Sequence, residues 1–346
     1  MNIITVGIDL AKNVFAVHGV DDNGKPALVK PKVSRADLLP LIANLPPCLI
    51  GMEACSGAPH WARQFRQHGH TVKLMAPKFV APYRMTGKKG KNDAADAAAI
   101  CEAVTRPSML FVPVKEEHQQ IILTLHRTRQ GFVEERTASY NRLRGLIAEF
   151  GIVLPQKVTC LRREIGAHLE DLPGYANLCV GDLLSHTAEL DTKIAEYDRL
   201  IAQAAKEDAR SKRLMTAPRY ALPGIGPVTA SALLASIGSG HDFKNGRQVA
   251  AWIGLVPGQY SSGGKTRLGR ITKAGDSYLR SLLVMGARAI LNSLGDKQDR
   301  FSRWARSLQE RRGYWKAVVA IAAKNARLAW AVLKYGEDFK LEPETI

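Results

Sequence analysis

At 346 residues, with 46% hydrophobic and 7% aromatic side chains, the chain has enough apolar material for two or three folded cores, which excludes wholesale disorder. No apolar run approaches the roughly 18–20 residues of a membrane span, and the N-terminus shows no charged, apolar leader. A cytoplasmic protein without a membrane partner is expected. The net charge of +17 is unevenly spread: residues 244–316 hold 15 basic against 4 acidic side chains, residues 1–105 hold 13 against 8, and residues 106–243 are nearly balanced at 17 against 16. A basic segment so concentrated predicts a polyanionic partner, most often nucleic acid. Five cysteines, Cys48, Cys55, Cys101, Cys160 and Cys179, are scattered without a C-x-x-C pair, which argues against a disulfide framework and a structural zinc site.

Ile3 to Asp9 is rich in Ile, Val and Thr and reads as a buried first strand ending on a carboxylate. Val14 to Val20 resumes the pattern as an antiparallel second strand. Asp22-Asn23-Gly24-Lys25 signals a hairpin into a third strand, Ala27 to Val33. Ser34 then reads as an N-cap, with Asp37 in place of the capping-box Glu, for a short helix stopped by Pro46-Pro47. Leu49 to Met52 forms a buried strand that delivers Glu53 at its end. A helix over 58–68, a strand from Thr71 to Met75 and a short helix from Pro77 complete a mixed sheet with helices packed on it.

Arg84 to Lys91 is a glycine-broken basic loop, with Lys88, Lys89 and Lys91 as candidate nucleic-acid contacts. It runs into an alanine-rich helix in which Asp93 and Asp96, spaced i, i+3, share a face. Asp9, Glu53, Asp93 and Asp96 thus stand at two strand ends and one helix start. Such a set of oxygen donors can hold two Mg²⁺ ions about a phosphate; alternatively, the helix-start pair serves only the helix dipole.

Residues 115–150 and 176–206 show long helical periodicity, punctuated between by Pro155 and Pro173, and predict an antiparallel hairpin or an oligomerising coiled coil. Arg127, Arg129, Arg136, Arg142 and Arg144 on the first of these either serve packing or face nucleic acid. Leu222-Pro223-Gly224-Ile225-Gly226-Pro227 has the look of a helix-hairpin-helix turn, in which Gly224 and Gly226 lead into helix 227–237 and its amides face a phosphate. Residues 258–270 are polar, glycine-rich and basic; nothing there can build a core. The stretch is either a flexible phosphate-binding loop, with Lys265, Arg267 and Arg270 as its charges, or the site of a serine nucleophile. Lys273 and Arg280 extend the basic run. Helices 276–295, 299–311 and 313–335 close the chain, with Leu283, Ile290, Trp304, Trp315, Val318 and Trp330 read as core.

Taken together, GIDLAK, GMEACSG, KNDAADA, LPGIGPVTA and YSSGG…GRITKAGDSYLR resemble the DEDD transposases of bacterial insertion sequences, bridge-RNA-guided recombinases related to the Piv-type DNA invertases. The resemblance covers nearly the whole chain, in the expected order. It implies an α/β RuvC-like (ribonuclease H-like) domain over 1–106, a helical coiled-coil region over 107–215, and a mostly α transposase domain with a helix-hairpin-helix-like element over 216–346. It also implies Mg²⁺ bound by Asp9, Glu53, Asp93 and Asp96, and a nucleophilic serine before a glycine, which matches Ser262 with Ser261 as its neighbour. The implied partners are donor and target DNA, a non-coding bridge RNA, and further copies of the chain in a dimer or tetramer. The implied reaction is strand cleavage through a phosphoserine followed by strand exchange.

Three rivals are distinguishable. A metal-dependent junction resolvase would use water instead of serine and tolerate Ser262→Ala. A sugar-kinase or actin-like ATPase would explain the first hairpin but expects a later glycine-rich adenosine motif, and it leaves the basic segment unexplained. A non-catalytic helix-hairpin-helix protein would be indifferent to Asp9→Asn.

Overall fold

Alternation of side chains along β-strands decides how the N-terminal sheet is layered. The structure, a computed structural model, describes residues 2–84, 92–215 and 222–339. The chain divides into two compact units, Met1–Glu116 and Glu117–Ile346. In the first, β1 (Thr5–Asp9), β2 (Val14–Val20) and β3 (Pro26–Ser34) precede α1 (Arg35–Ala43). β4 (Leu49–Glu53), α2 (Ala58–Gln67), β5 (Thr71–Met75), the single turn α3 (Pro77–Val80), α4 (Asp93–Val104) and the two-residue β6 (Phe111–Val112) follow. The sheet order is β3-β2-β1-β4-β5-β6. β1, β4 and β5 run parallel, while β2, β3 and β6 are antiparallel to their neighbours. The cap expected at Ser34 forms: its Oγ accepts from the Asp37 amide at 3.2 Å and donates to Asp37 Oδ2 at 2.6 Å.

One face of the sheet is conventional. Val6, Ile8, Ile50 and Met52 are fully buried in a core with Leu38 and Ile42 of α1 and Trp61 and Phe65 of α2. On the other face the same strands carry Gly7 and Gly51, paired directly across the parallel ladder. A Cβ on Gly7 would stand 2.2 Å from the Ala97 carbonyl oxygen, and one on Gly51 2.7 Å from Val104 Cβ. The alanine-rich α4 therefore lies almost on the backbone of β1 and β4. We expect Gly7→Ala to destabilise the first unit by about 3 kcal/mol through overpacking against helix backbone. Urea unfolding checks it; a loss under about 1 kcal/mol would mean that α4 can back away.

In the second unit, α5 (Glu117–Ala148) and α7 (Tyr175–Glu207) form an antiparallel pair. Arg129 pairs with Asp198 and Arg136 with Asp191, while Phe132 meets Tyr197 edge to face. Those two arginines are thus used between helices. α6 (Val158–His168), unforeseen between the two prolines, packs Leu161 and Ile165 on Tyr140, Leu143 and Ile147 of α5. The short α8 (Ala209–Met215) leads to α9 (Pro227–Ile237), whose residues Thr229 to Ile237 are all buried. Around it pack α10 (Gly246–Ile253), α11 (Ser277–Asn292), α12 (Arg300–Arg312) and α13 (Tyr314–Tyr335). Val318, Ile290, Leu283 and Trp330 are core as expected, and Trp304 packs on the core's edge. Trp315 is not core: it is 63% exposed, because it sits in the first turn of α13, before the buried stripe begins at Ala317. No helix among the described residues is long and apolar enough to cross a membrane.

Candidate functional site

The pleat that puts Gly7 and Gly51 under α4 also places Asp9 and Glu53, two residues further along each strand, on that same face. α4 begins there. Asn92 caps it by accepting from the Ala95 amide at 2.8 Å, and Asp93 and Asp96 occupy its first turn, Asp96 only 5% exposed. Electrostatics registers the convergence: burial first, then Asp96, Asp93 and Glu53, raise the Asp9 carboxyl to about pKa 6, with Arg84 opposing them. The Cys55 thiol is also pushed up, by burial and then by Glu53 and Asp9.

Arg84, which the sequence placed only in a basic loop, turns out to bridge this site. Its Nη2 donates to Glu53 Oε1 at 2.9 Å, and its Nε lies 2.7 Å from Asp96 Oδ1, an ionic contact without hydrogen-bond alignment. As they stand, no three His, Cys, Asp or Glu side chains among the described residues converge tightly enough to hold an ion. The gathered charge is met by a guanidinium instead. Lys88, Lys89 and Lys91 lie outside the described residues.

The stretch for which the sequence left open a flexible phosphate-binding loop or the site of a serine nucleophile carries regular structure. β7 (Pro257–Gln259) and β8 (Leu268–Ile271) pair as an antiparallel hairpin, continued by Tyr260 N to Arg267 O at 2.9 Å and by a bridge between Ser262 and Lys265. Gly263 and Gly264, at φ 55° and 75°, supply the two left-handed residues that a tight hairpin turn requires. This turn chemistry was in the sequence, but the flanking strands are polar and exposed, so the usual hydrophobic alternation was missing. The two serines differ. Ser261 Oγ accepts from Gln259 Nε2 at 2.9 Å and from the Arg267 amide at 3.2 Å, stitching the hairpin together. The Ser262 side chain is exposed beside the turn and makes no hydrogen bond among the described residues.

Lys265, Arg267 and Arg270 are exposed along the same hairpin, and Lys273 is exposed at its foot with a left-handed backbone, φ 53°. Arg280 is half-buried and structural in its contacts: Nη1 donates to the Ile253 and Ala274 carbonyls at 2.9 and 3.1 Å, clamping the hairpin's root. Gly224, at φ 73°, lies against the Gly286 carbonyl of α11, where a Cβ would approach to 2.4 Å; Gly226 is exposed as the N-cap of α9.

Below the hairpin, α11 is held by Tyr278, whose hydroxyl lies 2.9 Å from His126 Nδ1, while His126 Nε2 lies 3.0 Å from Ser231 Oγ. Burial, helped by Arg129, lowers the His126 pKa to about 4. In the unfolded chain the same group titrates near 6.5, so below that pH the unfolded state takes up a proton the folded state refuses. Stability should therefore fall between pH 6.5 and about 4 by roughly 3 kcal/mol from this residue. Urea midpoints across that window should slope less in His126→Gln than in the wild type; equal slopes would contradict it.

Residues 6–152 match a transposase family model of the DEDD IS110 type, and residues 220–302 match the model described as "Transposase IS116/IS110/IS902 family". Over 338 residues the sequence is 44% identical to a Pseudomonas aeruginosa protein named "Probable family 20 transposase", covering 96% of this chain and 97% of that one. It is 39% identical to the "Transposase for insertion sequence element IS1328" of Yersinia enterocolitica, over 98% of this chain and 99% of the relative. A more distant similarity, 24% over 81% of this chain and 77% of the relative, is to the "Pilin gene-inverting protein" of Moraxella bovis.

Proposed function

Because the chain belongs to the IS110 family of insertion-sequence transposases, we propose that it cleaves and exchanges DNA strands with Ser262 as nucleophile beside a divalent-metal site on a RuvC-like fold. The observation that carries the reading is the gathering of Glu53, Asp93 and Asp96 around Asp9 by elements far apart in sequence. Four acids collected at one place are electrostatically costly, and a structural core has no use for them.

The donor set is all carboxylate oxygen, which suits Mg²⁺, and Arg84 already brings a cation to Glu53 and Asp96. Asp9, Glu53, Asp93 and Asp96 would hold the ion, and Arg84 would give way to it. Bound there, Mg²⁺ supplies positive charge to the phosphate undergoing displacement. The chain's own part is nucleophilic. Ser262 Oγ loses its proton and bonds to phosphorus, the bridging P–O bond breaks, and the sugar oxygen leaves as a hydroxyl. Lys265, Arg267 and Arg270 would hold the DNA phosphates along the hairpin, and the Gly224–Gly226 turn would offer the amides of α9 as a helix-hairpin-helix element does. Lys88, Lys89, Lys91 and Lys273 would add phosphate contacts; Arg280 would serve from the root. On this reading a bridge RNA selects donor and target, and subunits associate so that the acids of one meet the serine of another, with the long helices of the middle region supplying the assembly.

The test is reconstitution. RNA co-purifying with the protein is sequenced, then combined with protein, Mg²⁺ and the donor and target DNA its loops specify. Joint molecules, and a protein–DNA adduct that survives denaturation, are expected. Nicked product without an adduct would favour hydrolysis by water. A second reading, inversion of a DNA segment, is favoured by the Moraxella similarity. The chemistry is shared, and a substrate with two sites on one molecule separates inversion from insertion by product size.

A further inference from the structure

Where α11 packs beside the start of α13, the second unit carries a feature that the catalytic reading does not use. Trp315 is 63% exposed, and the Arg288 guanidinium from α11 sits 5.6 Å from its ring centroid. The Tyr314 and Trp315 rings stand nearly perpendicular, 5.2 Å between centroids and 82° between planes, and the Tyr314 hydroxyl donates to Asn292 Oδ1 at 3.3 Å. Met285, also 63% exposed, is spaced i, i+3 before Arg288 and i, i+7 before Asn292, so the three share one face of α11. Arg311 and Arg312 end α12, and Lys316 follows Trp315; all are exposed, with Glu310 the one acid in the stretch 300–316. Arg288, Arg312 and Lys316 have no carboxylate partner among the described residues.

A guanidinium against an exposed indole is a mildly favourable pair that leaves aromatic surface open to solvent. That exposed aromatic surface, next to Arg288 and within a few residues of Arg311, Arg312 and Lys316 in the chain, suits one kind of occupant. A base in a duplex has both faces stacked already, whereas an unpaired base offers them together with an adjoining phosphate. We propose that Trp315 and Arg288 form a stacking platform for an unpaired base of single-stranded nucleic acid, with Arg311, Arg312 and Lys316 holding its phosphates. The inference rests on the reading of the chain as a nucleic-acid enzyme, and it assigns single-strand recognition to a surface apart from the serine hairpin.

Tryptophan emission tests it directly. Trp61 and Trp330 are buried, Trp252 and Trp304 are half-buried, and Lys324 lies 4.0 Å above Trp304, so Trp315 is the ring most open to a quencher. Nuclease-treated protein, stripped at high salt, is titrated with a 15-mer of deoxythymidine, a 15-mer of uridine and a duplex of equal length. Single strands should quench emission. Trp315→Ala should lose the quench and bind single strands about tenfold more weakly. Trp315→Phe should recover most of that affinity, and duplex affinity should stay within about twofold in both variants. Binding of single strands without quenching, or an equal loss for duplex and single strands in Trp315→Ala, overturns the platform while leaving the recombinase reading intact. Sedimentation of the wild type as an oligomer that Trp315→Ala dissociates, with single-strand affinity unchanged, would make the patch a protein interface and also overturn it. Failure to bind any of the three nucleic acids would overturn both readings.

Discussion

Ser262→Ala is expected to abolish the covalent protein–DNA adduct and to lower strand exchange by more than about 10³-fold, the scale of losing a nucleophile that no neighbour replaces. Ser261→Ala, one residue away, should retain the adduct and lose less than about tenfold, the consequence of two weakened hydrogen bonds in an exposed hairpin. The contrast comes from their different engagements. Ser261 Oγ is committed to Gln259 Nε2 and the Arg267 amide, whereas Ser262 presents an uncommitted hydroxyl next to the Gly263-Gly264 turn. Denaturing gels of protein trapped on labelled, nicked DNA measure it. An adduct that persists in Ser262→Ala but vanishes in Ser261→Ala would reverse the assignment, and one that persists in both variants would move the nucleophile elsewhere.

Asp9→Asn should do two things at once: lower cleavage by more than about 10³-fold and raise the melting temperature. Asp9 is held at a pKa of about 6 by burial and by three neighbouring carboxylates, so near neutral pH its charge works against the fold. The sign is that of a raised pKa: the folded state is favoured below the unfolded value of 3.8, and that advantage is lost as pH rises through about 6. An amide of the same shape removes the repulsion and, with it, one carboxylate oxygen of the proposed metal site. Calorimetry should show that Mg²⁺ raises the melting temperature of the wild type and leaves that of Asp9→Asn unmoved. A variant that melts lower than the wild type and still cleaves would make Asp9 a structural residue. The higher melting point with lost activity is a signature of a site kept for function at the expense of stability.

The sequence by itself determined the mixed α/β start and the helical remainder, because strand alternation, the Ser34 cap and the long helical periods are local signals whose causes lie within a few residues. It also nominated Asp9 and Glu53 as strand-end acids and Asp93 with Asp96 as a helix-start pair. Only the tertiary structure decided that these gather at one end of the sheet, because that depends on Gly7 and Gly51 lying side by side and admitting α4 onto the strands. Arg84 could not be read as their bridge, since its partners are 31 and 12 residues away. The buried face of α5 runs through Gln119, Leu123 and His126, and two of those are polar; hydrophobic periodicity cannot reveal a stripe satisfied by hydrogen bonds to α9 and α11. Trp315 shows the converse, an apolar residue that composition assigns to the core and that packing leaves in water. A chain's local preferences are written residue by residue, but which surfaces they bring together is settled by close packing between segments that have no sequence relation to one another.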